Sequence, residues 1–426
     1  MKIAVTGPTG YIGERFIKRA QSAGHVFVSL SRRQPEFLSG FWLPYDLKSN
    51  EAPVFPLGTQ VVLHLATSGG GQEGAQDIAA AKLLIASTQK VGAKLVFVSS
   101  QTARPGAPTA YGRTKWHIEQ SVLSAGGLVV RPGQVYGGEL RGLFGVLVNA
   151  VRKLPLLPAF IPAPKIQPIH VDDLSDGLLR ICERADLPSA VYCLAAAEPV
   201  LFSIFVGEIA KSRLYCWRGF LPVPVIIINM FSLALGQTLL IRFGLERLRS
   251  LFDLPLMESA SDLKQLGLKL RSLHSGMHSS GNDQRRLLLQ EGQALLSYVL
   301  REPASAALLR RYAKAIETLR DGRLLALPQL FVRYPSLLAL VEGAGNTSTV
   351  WCKEFMWRLD GATILAEATP QGARRFLGLG VGHSFARSLF SIVRAMASEV
   401  GWKLIGILLL PLIRHSLPPS LVEHSR

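Results

Sequence analysis

The chain has 426 residues, with 47 Lys and Arg against 30 Asp and Glu, a net charge of +17 and a mean hydropathy of +0.26. That length suits two or three domains, or one large domain with an appendage, and a sizeable core. The charge, +10 up to residue 280 and +7 beyond it, favours anionic partners. No lysine-rich run, zinc-finger spacing or aromatic-interleaved basic stretch argues for nucleic acid. Cys182, Cys193, Cys216 and Cys352 are scattered, with no CxxC, which argues against structural zinc and fits reduced thiols.

The opening "MKIAVTG" is already strand-like, so no signal peptide is expected and a cytoplasmic location is. From there, strands are expected at residues 2–7, 25–30, 61–67, 94–100, 127–132, 168–171 and 191–197. Helical patterns lie between them. Ile12, Phe16 and Ala20 share a face of the first, which Gly24 ends, and Ile78, Leu84 and Ile85 mark another. Alternation of this kind predicts an α/β fold with a parallel sheet covered on both faces. Residues 202–279 read as helices with short connections. The uncharged run 225–241 is marginal for crossing a bilayer and carries Asn229, Ser232, Gly236 and Gln237, so it is expected as a buried helix. A polar stretch at 278–286 reads as a linker. Beyond it the chain is expected to be mostly helical, with a capping signal at Thr369-Pro370. Ten apolar residues between Lys403 and Arg414 are too few to span a membrane; they suit a core helix or an interfacial one.

Three features carry chemistry. In "KIAVTGPTGYIG", Gly7, Gly10 and Gly13 follow a strand and open a helix, where glycines permit a tight turn and backbone N–H groups meet a pyrophosphate. After the second strand stand Ser31, Arg32 and Arg33, with no acid until Glu36. Paired guanidinium groups suit a ribose 2′-phosphate, so NADP is expected ahead of NAD. In "SSQTARPGAPTAYGRTK", Tyr111 and Lys115 are four apart and share a helix face. An ammonium beside a phenol is expected to lower the phenol's pKa, making Tyr111 a general acid/base, with Ser100 as hydrogen-bond donor to the substrate oxygen. His64 and His170 are expected to be structural, and Asp172 and Asp173 to cap a helix.

Taken together these motifs resemble the extended short-chain dehydrogenase/reductase family, in its NAD-dependent epimerase/dehydratase branch. The matching pieces are "TGPTGYIG", "DL" at Asp46-Leu47, "HLAT" at 64–67, "VSS" at 98–100, "YGRTK", "RPGQVYG" at 131–137, "IHVDDL" at 169–174 and a closing segment at 261–277. The resemblance spans about residues 1–279. It implies a Rossmann-type doubly wound sheet with a small substrate subdomain (about 140–165 and 200–279); the helical extension expected at 280–426 lies outside the family's usual length. It also implies that Gly7, Thr9, Gly10, Tyr11, Ile12, Gly13, Arg32, Arg33, Asp46, Leu47, Leu65, Ala66 and Thr67 hold the cofactor. Lys115 would hold the nicotinamide ribose beside the catalytic Ser100 and Tyr111. Gln101, Gln134 and Lys165 are candidate substrate contacts.

Two departures shape the reading. Gln101-Thr102 stand where dehydratases of the family carry an Asp-Glu pair, which argues against 4,6-dehydration. Ile166 stands where nucleotide-sugar enzymes place a diphosphate-binding arginine, with Lys165 beside it. The first expectation is an NADP(H)-dependent oxidoreductase or epimerase acting on a sugar, most naturally a nucleotide sugar. The alternatives are a reductase of a lipid-like ketone and a non-catalytic NADPH-binding protein at a membrane. Peripheral membrane contact through the C-terminal helix and homo-oligomerisation are left open.

Overall fold

The computed structural model describes residues 1–35, 41–49, 51–68, 74–214, 216, 218–225, 252–278, 282–320, 322–325, 327–342, 350–370 and scattered positions from 372 to 405. Glu36 and nearly all of the runs 225–241 and 403–415 lie outside the described residues. The chain divides into two compact units, one formed by Met1–Ile209 with Arg218–His278, the other by Ala210–Trp217 with Ser279–Arg426.

Unit 1 is built on a seven-stranded sheet, all of whose pairings are parallel. Its strands are β1 (Lys2–Thr6), β2 (Val26–Ser31), β3 (Phe41–Pro44), β4 (Val61–His64), β5 (Lys94–Val98), β6 (Leu128–Pro132) and, later in the chain, Val191–Leu194. In order across the sheet they run Val191–Leu194, β6, β5, β4, β1, β2, β3. Side chains alternate between faces along each strand. Ile3, Val5, Val96 and Val130 pack with Phe16 and Ile17 of α1 (Tyr11–Ser22) and with Leu174 and Leu178 of the helix Val171–Glu183. Ala4, Val28, Phe97 and Val129 pack on the other face with Leu84 of α2 (Gly74–Lys90) and Ile118 and Val122 of α3 (Ala110–Ser124). Both faces are covered by crossover helices, giving the Rossmann-type doubly wound arrangement.

The smaller elements of unit 1 are β7 (Gln134–Tyr136), α4 (Gly142–Lys153), β8 (Leu156–Ile161), β9 (Lys165–Ile166), β10 (Pro168–His170), α5 (Val171–Glu183), β11 (Val191–Leu194), β12 (Val200–Leu201), α6 (Phe202–Glu208) and β13 (Gly219–Pro224). Three expectations are corrected here. Residues 168–170 leave the main sheet and pair with β7. Phe41–Pro44 adds an edge strand that no alternation announces. Gly219–Pro224 is a strand in a region expected to be helical, paired in parallel with β8, because Pro222 and Pro224 remove the donors a helix needs.

Unit 2 contains the helices Asn282–Leu300, Ala306–Leu319, Gln329–Arg333, Leu338–Glu342 and Val350–Glu367. The first of these starts inside the stretch expected as a linker. Leu295, Leu296, Tyr312, Phe355 and Ala362 lie in its core. Also buried is a polar cluster: Glu291 accepts from Tyr312 Oη (2.7 Å), Leu325 N (2.8 Å) and Arg358 Nη1 (2.5 Å). Thr369 accepts from Gly372 N at 3.1 Å, the capping contact expected there. Among the described residues, no helix is long and apolar enough to cross a membrane, and no cluster of His, Cys, Asp or Glu is placed to hold a metal ion.

Candidate active site

In a parallel sheet the carboxyl ends of neighbouring strands lie side by side, and β1, β4 and β5 are consecutive neighbours. Their ends carry Gly7, Leu65 and Ser99-Ser100. The glycine turn is shaped for a close ligand. Gly7 has φ +67°, and a Cβ on Gly13 would meet the Gly7 carbonyl oxygen at 2.3 Å. Gly10 caps α1 with no side chain over the helix end, so the α1 N-terminus presents backbone N–H groups and the positive end of its dipole. Thr9 and Gly10 are exposed, and Tyr11 and Ile12 half-buried; the Tyr11 hydroxyl donates to the Gly137 carbonyl. These residues fit the diphosphate of a dinucleotide.

Thr6, which sequence reasoning passed over, fixes the neighbouring loop. Its Oγ1 accepts from Leu65 N and Ala66 N, both at 3.1 Å, and lies 2.7 Å from His64 Nδ1. With two N–H donors already on the oxygen, the hydroxyl proton is left for Nδ1, which requires a neutral imidazole. Burial, helped by the Lys115 charge, pushes the His64 pKa down to about 3, consistent with that state. His64 is therefore structural, as expected.

At the ribose end, Arg32 and Arg33 are exposed where β2 ends. Ser31 Oγ donates to the Arg33 carbonyl at 2.7 Å and accepts from the Trp42 indole at 3.3 Å, so the backbone beneath both arginines is held. Half-buried Asp46 uses Oδ1 to accept from Lys48 N at 3.1 Å, and Leu47 packs beside the core.

Ser100, Tyr111 and Lys115 come together. Thr109 caps α3 by accepting from Gly112 N at 3.2 Å, which starts the helix one turn before Lys115. Ser100 Oγ lies 2.9 Å from Thr102 Oγ1, accepts from Thr102 N at 3.2 Å and is near enough to Tyr111 to act on its phenol. Lys115 is buried, donates to the Val98 carbonyl at 3.0 Å and stacks over the Phe97 ring at 4.6 Å and the Tyr111 ring at 5.8 Å.

The electrostatics correct one expectation. Tyr111 is pushed up to about 12, first by desolvation and then by the Asp77 carboxylate, with the Ser100 hydrogen bond pulling the other way. Lys115 is brought down to about 8 by burial, against the upward pull of Asp77 and Glu119. Asp77 was not foreseen. It is buried on α2 and accepts from Thr67 Oγ1 and Ser68 N, both at 3.1 Å. Its signal was a lone acid on the apolar face that carries Ala80, Ala81 and Leu84.

The remaining candidates separate. Gln101 is buried and its amide donates to the Pro255 carbonyl (2.9 Å) and Gln167 (3.3 Å), fastening segment 252–257 over the end of β5. Gln134 donates to the Val135 carbonyl at 3.2 Å, and Lys165 is exposed on β9 beside fully buried Ile166. The helix cap expected from Asp172 or Asp173 is instead His170, whose Nδ1 accepts from Asp172 N at 3.1 Å. Asp173 turns to Arg271, accepting from Nε at 2.8 Å and from its backbone N at 3.0 Å.

Residues 3–195 match the model of the NAD dependent epimerase/dehydratase family. This region is a domain of that family. Among curated relatives, a ceramide reductase of Caulobacter vibrioides is 26% identical over 196 residues, covering 42% of this chain and 60% of that protein. A mitochondrial NADH dehydrogenase [ubiquinone] 1 alpha subcomplex subunit 9 of Dictyostelium discoideum is 28% identical over 166 residues, covering 38% of this chain and 44% of that protein. The chain thus spans about half the length of these two relatives. Among solved structures, a UDP-glucose 4-epimerase of Thermotoga maritima is similar with a TM-score of 0.50 at 16% identity, covering 65% of this chain and 96% of that one. At that identity the likeness speaks for the fold. The matched residues include the glycine turn, Ser100 and the Tyr111–Lys115 pair; the match ends before unit 2.

Proposed function

We propose that this domain is an NADP(H)-dependent oxidoreductase that interconverts a ketone and a secondary alcohol, and that its substrate is lipid-like. The observation that supports the chemistry is the convergence of Ser100, Tyr111 and Lys115 beside the glycine turn. A bound nicotinamide would supply or accept the hydride. In reduction, Ser100 Oγ and Tyr111 Oη would hydrogen-bond the carbonyl oxygen, and Tyr111 would give that oxygen its proton while its carbon took up hydride, so that a ketone, NADPH and a proton would balance against an alcohol and NADP⁺. The high pKa of Tyr111 keeps its proton in place at neutral pH, which suits the acid role. Lys115, with a pKa near 8, is still mostly an ammonium at pH 7 and holds a positive charge under the developing phenolate. The same ammonium would hold the nicotinamide ribose, Asp46 and Leu47 the adenine, and Leu65, Ala66 and Thr67 the inner ribose. Exposed Arg32 and Arg33 favour the 2′-phosphate of NADP over NAD.

Three facts favour a lipid-like substrate. Ile166 replaces a diphosphate-binding arginine, Gln101 is already engaged with Pro255 and Gln167, and one relative is a ceramide reductase. A nucleotide sugar is the second reading, supported by the family and by exposed Lys165. The test is turnover of NADPH and NADH by the full chain against detergent-presented long-chain ketones and against UDP-, GDP- and dTDP-sugars with their keto forms. Ketone reduction with NADPH is expected. Turnover confined to nucleotide sugars contradicts the substrate class, and tight NADPH binding with no turnover on any of them contradicts catalysis.

A further inference from the structure

The β8–β13 ribbon is an unusual surface for a water-facing ribbon. It has two strands, and β13 pairs with β8 alone among the described strands. Its exposed side chains are apolar: Leu156 (53% exposed) and Leu221 (55%) share one face, and Ile161 (57%) and Phe220 (42%) the other, as the pairing of Leu157 with Phe220 and Pro158 with Leu221 and strand alternation require. Ile204 of α6, 54% exposed, adds to the Phe220 side, since Gly207, one turn further along α6, sits against the Phe220 ring. Leu157 and Phe160 are buried and anchor the ribbon, Phe160 against Phe202 and Phe252. An exposed apolar patch with a firm base marks an interaction site.

Charge selects the partner. Arg152 and Lys153 end α4 beside the ribbon, and both are exposed. Arg218 ties this corner to β13 through the Val151 and Arg152 carbonyls. No acidic residue occurs between Glu139 and Asp172, or between Glu208 and Glu246, so α4, β8 and β13 carry only positive charge. A second copy of the same surface would bring like charges together. An anionic lipid surface matches both features, with apolar side chains entering the headgroup boundary and basic groups meeting phosphates. The chain leaves β13 at Pro224 directly into seventeen uncharged residues, 225–241.

We infer that the β8–β13 ribbon, with its basic rim at Arg152 and Lys153, docks the protein on an anionic bilayer surface. This deepens the lipid-substrate reading and rests on it for its purpose, since docking would bring the site to a substrate held in the membrane.

The test is co-sedimentation of the full chain with vesicles of phosphatidylcholine alone or with added phosphatidylglycerol. Binding to the anionic vesicles is expected, weakening with salt. It should fall about tenfold in Leu156→Glu/Leu221→Glu and in Arg152→Gln/Lys153→Gln, with NADPH binding unchanged in both. NADPH binding reports folding. Should the leucine variant lose it, the Arg152→Gln/Lys153→Gln variant decides alone. Absence of binding to anionic vesicles, undiminished binding in the folded variants, or a dimer broken by the same leucine substitutions without vesicle binding each overturns the inference. Turnover of a detergent-presented ketone is measured in parallel. Loss of docking with turnover intact supports the surface, whereas absence of turnover in the parent protein counts against the enzymatic reading and leaves the vesicle result to stand by itself.

Discussion

At the scale of single residues, Asp77 sets the field in which Tyr111 and Lys115 titrate. The groups facing the pair are Asp77 from α2, Glu119 from α3, neutral His64 from β4 and Ser100 after β5. Asp77 raises the pKa of both Tyr111 and Lys115. Asp77→Asn removes the charge but keeps an oxygen able to accept from Thr67 and Ser68. Both pKa values should then fall, moving the alkaline limb of the ketone-reduction rate to lower pH by about one unit. A superimposable pH–rate profile contradicts this. Cofactor choice is also decided by side chains. Arg32→Ala/Arg33→Ala should weaken NADPH binding by about tenfold or more, from the loss of charge-assisted hydrogen bonds of about 1.5–3 kcal/mol each. NADH binding should stay within about twofold, the bond-free 2′-hydroxyl end being unaffected. Fluorescence titration with both nucleotides reads the difference, and equal losses for the two would remove the NADP assignment.

At the scale of elements, the glycine turn is the part with the least room. Gly13→Ala would set a methyl 2.3 Å from the Gly7 carbonyl oxygen, a backbone atom that cannot step aside. A stability loss of about 1–3 kcal/mol is expected, together with weaker cofactor binding, read by denaturant melts and NADPH titration. Parent-like values for both would mean that the turn is not the cradle described. This turn, the buried strands and α3 could be read from sequence because glycine spacing, apolar runs and the Tyr111–Lys115 interval are local signals. What could not be read depends on distant partners. Phe41–Pro44 is a strand only because β2 offers an edge. His170 takes the cap that Asp172 seemed placed to supply, because its ring can reach back to Asp172 N. The direction of the Tyr111 shift also needed the fold: the ammonium four residues along was visible, while the desolvation and the Asp77 charge that raise the pKa come from packing and from α2.

At the scale of the whole molecule, the two units have separate cores. Glu291 finds its partners Tyr312, Leu325 and Arg358 within unit 2. Glu291→Ala leaves buried Arg358 without that carboxylate and should cost about 3–5 kcal/mol in a denaturation experiment. NADPH affinity at 25 °C should be unaltered; a parallel loss of affinity would tie the cluster to the cofactor site. In unit 1 a phenol, an ammonium and a serine hydroxyl meet beside the glycine turn. The most direct measurement of their joint role is turnover and NADPH binding by Tyr111→Phe, with the ketone that the parent protein reduces. The predicted result is a loss in turnover of about 10²–10⁴-fold with NADPH affinity nearly intact, since the substitution removes the proton donor alone. Turnover equal to that of the parent protein would contradict the assignment of Tyr111 as the acid.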